Sequence, residues 1–362
     1  MSSPFSRHLA VVYIALLICA SLYPMSGWRE MGLPLFDYLI APWPKYYTAG
    51  EIIINIIGYM PLGFVFVPAL PQSWTRKRKI IVTVVFGTLL SFCMETIQNF
   101  LPTRISSNVD LAANSLGTLL GALLGARWGK AIFAPGRGLA RWRERLIADG
   151  GLIGDTAMIL IILWVFVQLT PNQLLFAGGE LRRLLDIAPP LPFLPGRLIV
   201  FETAQTASMM LAIGLFARCA LRASGPMPVV ALLLLGMTAR LVGSACFFVP
   251  SSPLAWLTPG VRYGFFVGVI LLFIALRLPR VAQHALAGAS LLMASLLINM
   301  MPESPYFLRN VSSEPVIIQA NYQNFYGLCR LIAAIWPFVA LAYLSALGMY
   351  RGERLENKRP VA

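Results

Sequence analysis

The chain has 362 residues, of which 58% are hydrophobic and 12% are charged, and its formal net charge at pH 7 is +14. Soluble domains are about 45–50% apolar and about 25% charged, so this composition excludes an ordinary soluble protein and predicts an integral membrane protein. The excess of positive charge would suit nucleic acid, but its distribution along the chain fits membrane topology better, and no nucleic-acid partner is expected.

Ten apolar runs follow one another, each close to the ~20 residues that a helix needs to cross the hydrocarbon core. They lie near residues 9–27, 51–70, 79–100, 109–131, 152–170, 197–217, 227–249, 261–278, 281–300 and 328–350. The first run resembles the apolar part of a signal peptide, but no small-residue cleavage site precedes Trp28, so we interpret it as a span. The strand-like alternation of apolar and polar residues is absent. We therefore predict an all-α, polytopic membrane bundle of about ten transmembrane helices.

Lysine and arginine are concentrated in loops that lie on one side of this predicted bundle. They cluster at Arg76–Lys79, between Arg127 and Arg145, and after Arg351. Because positive charge marks the cytoplasmic side, we expect both termini in the cytoplasm. The domains are then a four-helix membrane module at 1–133, a basic cytoplasmic linker at 134–150 that carries Trp142, and a six-helix membrane module at 151–362. Two longer loops, 171–196 and 301–327, are expected on the outer side.

Polar residues interrupt the second, third and fourth spans. Successive residues of a helix turn by ~100°, so Glu95 and Gln98 share one face of the third span, and Asp110 and Asn114 share one face of the fourth. With the expected topology, three spans and one loop bring six side chains to the same outer level: Asn55, Glu95, Gln98, Arg104, Asp110 and Asn114. The face that carries Asp110 continues as Gly117, Gly121 and Gly125, a small-xxx-small pattern that predicts close helix packing.

Charged groups in a membrane span usually face the bundle interior or a cavity, so this cluster is the candidate functional site. In a structural interpretation, Arg104 pairs with Glu95 or Asp110, and the amides complete the hydrogen bonding. In a functional interpretation, the cluster binds a ligand at the outer leaflet. Arg104 would then hold a phosphate or carboxylate, and Glu95 or Asp110 would act as an acid or base or bind a cation.

The second half of the chain carries its own polar residues inside predicted spans, namely Glu202, Gln205, Arg240 and Asn299. An Arg240–Glu202 pair that bridges two helices is the favoured interpretation, and a second polar cavity is the alternative. All five cysteines fall inside spans without CxxC spacing, and the only two histidines lie near cytoplasmic span ends. A metal site, a disulfide or a Ser-His-Asp triad is therefore not predicted, and no cofactor is expected.

The ordered polar residues of the first four spans resemble the VanZ-like family. The shared pattern extends over roughly residues 9–131 and comprises Asn55 with Gly58 and Pro61-Leu62-Gly63, Glu95-x-x-Gln98, Arg104, and Asp110-x-x-x-Asn114-x-x-Gly117-x-x-x-Gly121. The resemblance implies a multi-pass protein of a bacterial cytoplasmic (inner) membrane. It also implies an accessory role in the cell envelope, because the family is named after a protein that lowers sensitivity to a lipoglycopeptide antibiotic.

The leading hypothesis is a cell-envelope protein that binds an amphiphile by its polar head in the outer leaflet. The ligand would be a membrane lipid or a lipid-linked envelope precursor, and binding would affect the envelope or glycopeptide sensitivity. One alternative is an enzyme of lipid or lipid-linked glycan modification, with Glu95 or Asp110 as general base. Another is a scaffold whose polar cluster only joins helices. Residues 150–362 lie outside the resemblance, and their role stays open.

Overall fold

The computed structural model describes residues 4–30, 32, 34–43, 49–170, 173–222, 225–245, 253–303 and 316–356, with the backbone alone for 316–326 and 355–356. Within these ranges the only β-type pairing is an isolated bridge between Ile147 and Leu221. The prediction of an all-α protein is therefore confirmed for the part of the chain that is described.

The described residues form twelve helices. They are α1 (Pro4–Leu22), α2 (Asp37–Ile40), α3 (Ala49–Ala69), α4 (Arg76–Gln98), α5 (Asn108–Phe133), α6 (Gly138–Leu146), α7 (Gly151–Val167), α8 (Pro195–Ala220), α9 (Met227–Gly243), α10 (Pro259–Ala275), α11 (Arg280–Met300) and α12 (Val316–Glu356). Several of these helices have a serine or threonine as the N-cap residue. Thr75 accepts a hydrogen bond from the backbone N–H of Arg78 before α4, and Thr258 accepts one from Val261 before α10. Such N-caps satisfy N–H groups that the first helical turn leaves unpaired.

Each predicted span coincides with one helix, but the helices differ in length. Seven described helices are long and apolar enough to cross a membrane: α1, α3, α4, α5, α8, α11 and α12. The other three, α7, α9 and α10, have 17 residues each. At a rise of ~1.5 Å per residue such a helix is about 26 Å long, somewhat less than a hydrocarbon core of ~30 Å. The chain is a multi-pass membrane protein in which seven of the ten predicted spans meet the length criterion. Residues 246–249, at the end of the seventh predicted span, lie outside the described residues.

The chain divides into two compact units. The N-terminal unit contains Met1–Glu144 and Pro315–Leu328, and the C-terminal unit contains Arg145–Glu314 and Cys329–Ala362. The first change of unit falls inside the predicted linker at 134–150. Much of that linker is helical, because α6 extends from Gly138 to Leu146. Arg141, Trp142 and Arg145 of this helix are exposed. The sequence predicted an outer loop at 301–327 within the six-helix module, whereas α12 already begins at Val316 and Pro315–Leu328 belongs to the N-terminal unit.

The N-terminal unit is a bundle of α1, α3, α4 and α5, in which α3 and α5 run parallel in close backbone contact. A Cβ atom on Gly117 would overlap the carbonyl oxygen of Ile56, and one on Gly121 would overlap that of Met60. The same four-residue step continues to Gly125, which faces Phe64. Only glycine permits this approach, so these positions set the spacing between the two helices.

The C-terminal unit is organised around α8. Every residue of this helix from Met209 to Ala217 is buried, so neighbouring helices cover all of its faces. The ring of Phe216 lies 5.5 Å from the ring centres of both Trp336 and Tyr343, which come from α12. The indole N–H of Trp336 donates to the carbonyl of Leu160 at 2.8 Å, which ties α12 to α7.

Part of the loop that follows α7 is buried inside this unit, although the sequence analysis placed residues 171–196 in an outer loop. Leu175 and Phe176 have no exposed surface, and their neighbours Leu174 and Ala177 are nearly as buried. The ring of Phe176 packs against Trp164 with ring centres 5.4 Å apart. Irregular backbone can lie inside a membrane protein only when protein groups satisfy its hydrogen bonds, and here a buried arginine does so.

Candidate functional site

The six polar residues singled out in the first half all lie at one end of the N-terminal bundle. We call it the polar end: the end at which α1 and α4 finish and α3 and α5 begin. Asn55 lies in the second turn of α3, Glu95 and Gln98 in the last turn of α4, and Asp110 in the first turn of α5. Arg104 lies in the loop between α4 and α5. Asn114 lies one turn further along α5.

Asp110 and Asn55 form a direct contact between α3 and α5. The Nδ2 atom of Asn55 donates to the Oδ1 atom of Asp110 at 2.7 Å. Both residues are half-buried, so the pair is in reach of molecules outside the bundle. Asp110 also interacts electrostatically with Glu51 and Arg104. The pair is the more accessible part of the cluster.

Glu95 is buried, with 3% of its surface exposed. Its Oε2 atom accepts a hydrogen bond from the backbone N–H of Ser107 at 3.0 Å, and its backbone carbonyl accepts one from the hydroxyl of Ser106. Ser107 in turn caps α5, since its side chain accepts from the N–H of Val109. Glu95 therefore fixes the loop between α4 and α5 to the end of α4.

Arg104 has a different partner from the one that the structural interpretation expected. Its Nε and Nη2 atoms donate to the carbonyl of Tyr23 at 3.1 and 2.9 Å, and Nη2 donates to Ala20 at 3.1 Å. These carbonyls belong to the end of α1, where a helix has no partners of its own for them. Among the described residues, Arg104 forms no ion pair with Glu95 or Asp110, so that expectation was wrong. Burial lowers the pKa of the guanidinium, and the nearby carboxylates act in the opposite direction.

The two remaining amides also bind within the bundle. Gln98 donates to the carbonyl of Ser21 at 2.7 Å, which joins the last turn of α4 to the end of α1 beside the contact made by Arg104. Asn114 donates to the hydroxyl of Ser91 at 2.9 Å and joins α5 to α4. The other amide atom of Asn114, Oδ1, is buried without a hydrogen-bond partner in the described part of the chain.

The region that contains this site is similar to a known protein family. Residues 9–129 match the VanZ/LLP1 family. The N-terminal region of the chain is VanZ-like. No curated protein and no solved structure matches the chain significantly.

Two features of the VanZ-like region were not identified from the sequence. The first is Tyr59, one turn beyond Asn55 on α3, whose hydroxyl is buried without a hydrogen bond in the described residues. The second is the segment of residues 34–43, between α1 and α3, which lies over the polar end. Its Tyr38 hydroxyl is 3.1 Å from the hydroxyl of Thr96, and Asn99 donates to the carbonyl of Leu35 at 2.9 Å. No periodicity marks this segment, although its aromatic residues are a weak signal for an interfacial element.

Outside the VanZ-like region, the expected pair of Arg240 and Glu202 is not formed. Glu202 accepts a hydrogen bond from the hydroxyl of Thr258 at 2.6 Å. Arg240 is fully buried and donates to the carbonyls of Thr170, Gln173 and Leu174 and to the side-chain oxygen of Gln168. Its partners therefore belong to the buried loop, and Arg240 supplies that loop with the donors that its backbone needs.

The other two residues of the second polar cluster do not meet at one point either. Asn299 donates to the carbonyl of Gly179 at 2.7 Å and accepts from the backbone N–H of Arg182 at 2.9 Å, so it anchors a different part of the loop. Gln205 is fully buried, and both of its amide atoms lack partners in the described part of the chain. Glu202, Arg240 and Asn299 thus hold separate contacts, and the four residues do not form one cluster.

The contact of Arg104 with α1 can be tested by Arg104→Lys. Lysine keeps the charge but lacks the planar fork that reaches two carbonyls at once. We expect a loss of about 1–3 kcal/mol of stability, because an ammonium group cannot reach both carbonyls and one buried acceptor is left without its hydrogen bond. Thermal unfolding of the purified chain in detergent measures this, and faster amide exchange near residues 18–24 would locate it. Arg29→Lys, at an exposed position near the same helix end, is the control. Equal stability of the two variants would contradict this assignment.

Proposed function

We propose that the VanZ-like region binds the polar head of an amphiphile at its polar end, in the outer leaflet of a bacterial cytoplasmic membrane. The ligand is a membrane lipid or a lipid-linked envelope precursor whose head carries hydrogen-bond donors, such as an ammonium group or hydroxyl groups. Asp110 and Asn55 contact that head. Binding alters the envelope and thereby the sensitivity of the cell to glycopeptide antibiotics.

The observation that carries this proposal is the half-buried pair of Asp110 and Asn55. In the described residues, the only hydrogen bond to the Asp110 carboxylate comes from Asn55. An ionised carboxylate has about four acceptor positions, so most of its capacity is available to a donor from outside. Glu51 acts on Asp110 with a negative charge, and its influence exceeds the opposite one of Arg104, which favours a cationic or donor-rich head over an anionic one.

The buried members of the cluster support this choice of contact residues. Glu95, Gln98 and Arg104 all bind backbone groups of the bundle and hold the ends of α1, α4 and α5 together. They act as positioning residues. Arg104 in particular uses its guanidinium on carbonyl oxygens, so an anion-binding role for it has little support.

The surface around the polar end suits contact with lipid. Ile40 is 86% exposed, Trp43 is 71% exposed and Ile105 is 89% exposed. Large apolar side chains, and tryptophan above all, are favoured at the interface between a membrane and water. This rim supports a ligand that arrives from the bilayer and presents its head to Asp110.

A structural role is the second candidate function. It is favoured by the hydrogen bonds that Glu95, Gln98 and Arg104 form with backbone groups of the bundle, because these bonds use much of the hydrogen-bonding capacity of the cluster. If the cluster only joined helices, its substitutions would act through stability and leave lipid affinity unchanged.

The proposal is tested with Asp110→Asn, which changes the charge of the contact residue and little of its shape. Vesicles of phosphatidylethanolamine supply a head with N–H donors, and phosphatidylcholine supplies one without them. We expect wild-type protein to prefer phosphatidylethanolamine and Asp110→Asn to lose about tenfold in affinity, the scale of one charged hydrogen bond. In cells that express the chain, the variant should lose any protection against a lipoglycopeptide at unchanged abundance.

Asp37→Asn is the matched control, because it removes an exposed carboxylate from the same part of the chain. It should bind phosphatidylethanolamine like the wild type. Unchanged lipid affinity in Asp110→Asn, or an equal loss in both variants, would refute the proposal. A loss of folded protein in Asp110→Asn with normal affinity in the remainder would favour the structural role.

A further inference from the structure

The N-terminal unit has a second charged end, opposite the polar end, that the proposed function does not use. We call it the basic end: the end at which α1 and α4 begin and α3 and α5 finish. The structure describes every acidic residue of Met1–Glu144, and only Glu144 lies at this end, in the short helix α6 that follows α5. Basic residues gather there within the stretches 76–79, 127–130 and 137–143. The basic end therefore carries a strong excess of positive charge.

The first turn of α4 consists of four consecutive basic residues, Arg76–Lys79. The start of a helix is the positive end of its dipole, so basic residues are unfavourable there and anions are favourable. No acidic residue lies in this turn to offset the charge. Arg78 stacks on the ring of Trp74 at 4.1 Å, which leaves its charge in place. The start of α4 thus attracts anions more strongly than an ordinary helix end.

Lys79 is the buried member of this turn, with 9% of its surface exposed. In the part of the chain that the structure describes, its side chain has no hydrogen bond or ion pair, and its Nζ atom is still accessible from outside. The other buried charged residues of the described chain all have a protein partner, namely Glu95, Asp155, Arg182, Glu202 and Arg240. An ammonium group has three donors, so the fold holds Lys79 in place with its donors unused.

Lys130 lies beside Lys79, across the contact between α4 and α5. The two helices run antiparallel, and a Cβ atom on Gly87 would overlap the side chain of Thr118. Two turns further along both helices, in the direction of the basic end, Lys79 comes opposite the turn that leads to Lys130. The two ammonium groups repel each other. A phosphate group has oxygens for both of them, and its negative charge would offset the repulsion.

Tryptophan side chains lie among the basic residues of this end. Trp128 is 47% exposed and Trp142 is 62% exposed, and Trp74 lies under the guanidinium of Arg78. Tryptophan is enriched where the hydrocarbon of a membrane meets the head groups, so these residues place the basic end at head-group level. A basic cluster at that level fits an anionic membrane lipid better than a soluble polyanion.

We infer that the basic end binds an anionic phospholipid, and that Lys79 and Lys130 hold its phosphate group in the cleft between α4 and α5. The positive first turn of α4 adds to the attraction. The positive-inside rule places this end on the cytoplasmic side, where the leaflet is rich in anionic lipids. The site is therefore in the opposite leaflet from the one proposed at Asp110 and is independent of it.

The inference is tested on the full chain, purified in a detergent that carries no phosphate. Native mass spectrometry measures the affinity for each lipid, and thermal unfolding measures the rise in Tm that a ligand of the folded state produces. The probes are phosphatidylglycerol, phosphatidylcholine, which has a phosphate but no net charge, and inorganic phosphate. We expect phosphatidylglycerol to bind most tightly and to raise Tm. An equal rise with phosphatidylcholine or with inorganic phosphate would overturn the inference.

Lys79→Gln and Lys130→Gln should each weaken the binding of phosphatidylglycerol about fivefold, the effect of one basic residue near an anionic head group. Lys77→Gln is the matched control, because it removes the same charge from the same helical turn at an exposed position. It should weaken binding by less than about twofold, since salt screens exposed charges. Asp110→Asn should leave this binding unchanged.

Lys79→Gln has a further expected effect, because it also removes the repulsion between the two lysines. Without lipid it should unfold at the same temperature as the wild type or at a higher one, while its gain from phosphatidylglycerol should be smaller. Lys130→Gln decides the matter if Lys79→Gln does not fold. Equal losses of affinity in Lys77→Gln and Lys79→Gln would indicate only a general attraction to negative charge and would overturn the inference. Unchanged affinity in both Lys79→Gln and Lys130→Gln would do the same.

Discussion

Gly121→Ala is expected to destabilise the N-terminal unit by about 2 kcal/mol or more, the cost of forcing atoms into a closely packed interface. The added Cβ atom would overlap the carbonyl oxygen of Met60, which is backbone and has no rotamer to move into. Helices α3 and α5 would have to separate, and the neighbouring contacts at Gly117 and Gly125 would lengthen with them. Thermal or denaturant unfolding of the purified chain in detergent measures the effect.

Gly58→Ala is the matched control for this prediction. Gly58 is also in the interior of a helix of this unit, but a Cβ atom there would have nothing within 4 Å. Alanine favours a helix over glycine by about 1 kcal/mol in water, so this variant should be neutral or more stable. The same chemical change is thus expected to have opposite effects at two positions. A Gly121→Ala protein as stable as Gly58→Ala would show that α3 and α5 do not approach as closely as described.

Arg240→Met is expected to cost the C-terminal unit about 3–5 kcal/mol, as when one partner of a buried charged network is removed. Methionine fills a similar volume but donates no hydrogen bonds. The carbonyls of Thr170, Gln173 and Leu174 would be left buried without their donor. The loop should open, and amide exchange between residues 173 and 177 should rise by more than that of α8.

Arg277→Gln provides the comparison, because Arg277 is an exposed arginine of the same unit that stacks on the ring of Phe273. Its loss should change stability by less than about 1 kcal/mol, as for most surface substitutions. If Arg240→Met were as stable as Arg277→Gln, the buried loop would not depend on the arginine.

The sequence was sufficient to predict the ten helices that coincide with the apolar runs, and one helix contact, but not α2 or α6. Long apolar runs predict helices in lipid, because a helix forms all of its backbone hydrogen bonds within one segment and the hydrocarbon offers no other partners. The four-residue spacing from Gly117 to Gly125 predicts a smooth face, and the structure brings that face against α3. Likewise, the ends of α3, α4 and α5 gather Asn55, Glu95 and Asp110 at one level, as the alternation of the spans requires.

The partners of the two arginines could not be predicted in the same way. Arg104 and Arg240 both bind backbone carbonyls, and a carbonyl is present at every residue, so the sequence offers no pattern that identifies it. The sequence does identify carboxylates such as Glu95 and Glu202, which is why it predicts them as the partners of Arg104 and Arg240. The buried loop did have a signal, since Leu174-Leu175-Phe176-Ala177 are four consecutive apolar residues between two helices.

The contact between Arg104 and the end of α1 also bears on how the protein is made. Tyr23 and Arg104 are 81 positions apart in the chain. A ribosome therefore completes α1 long before it adds the arginine that caps it. Until the loop after α4 has been synthesised, the carbonyls of Ala20 and Tyr23 have no hydrogen bond from Arg104. A chain that ends before Arg104 would lack this contact at the end of α1.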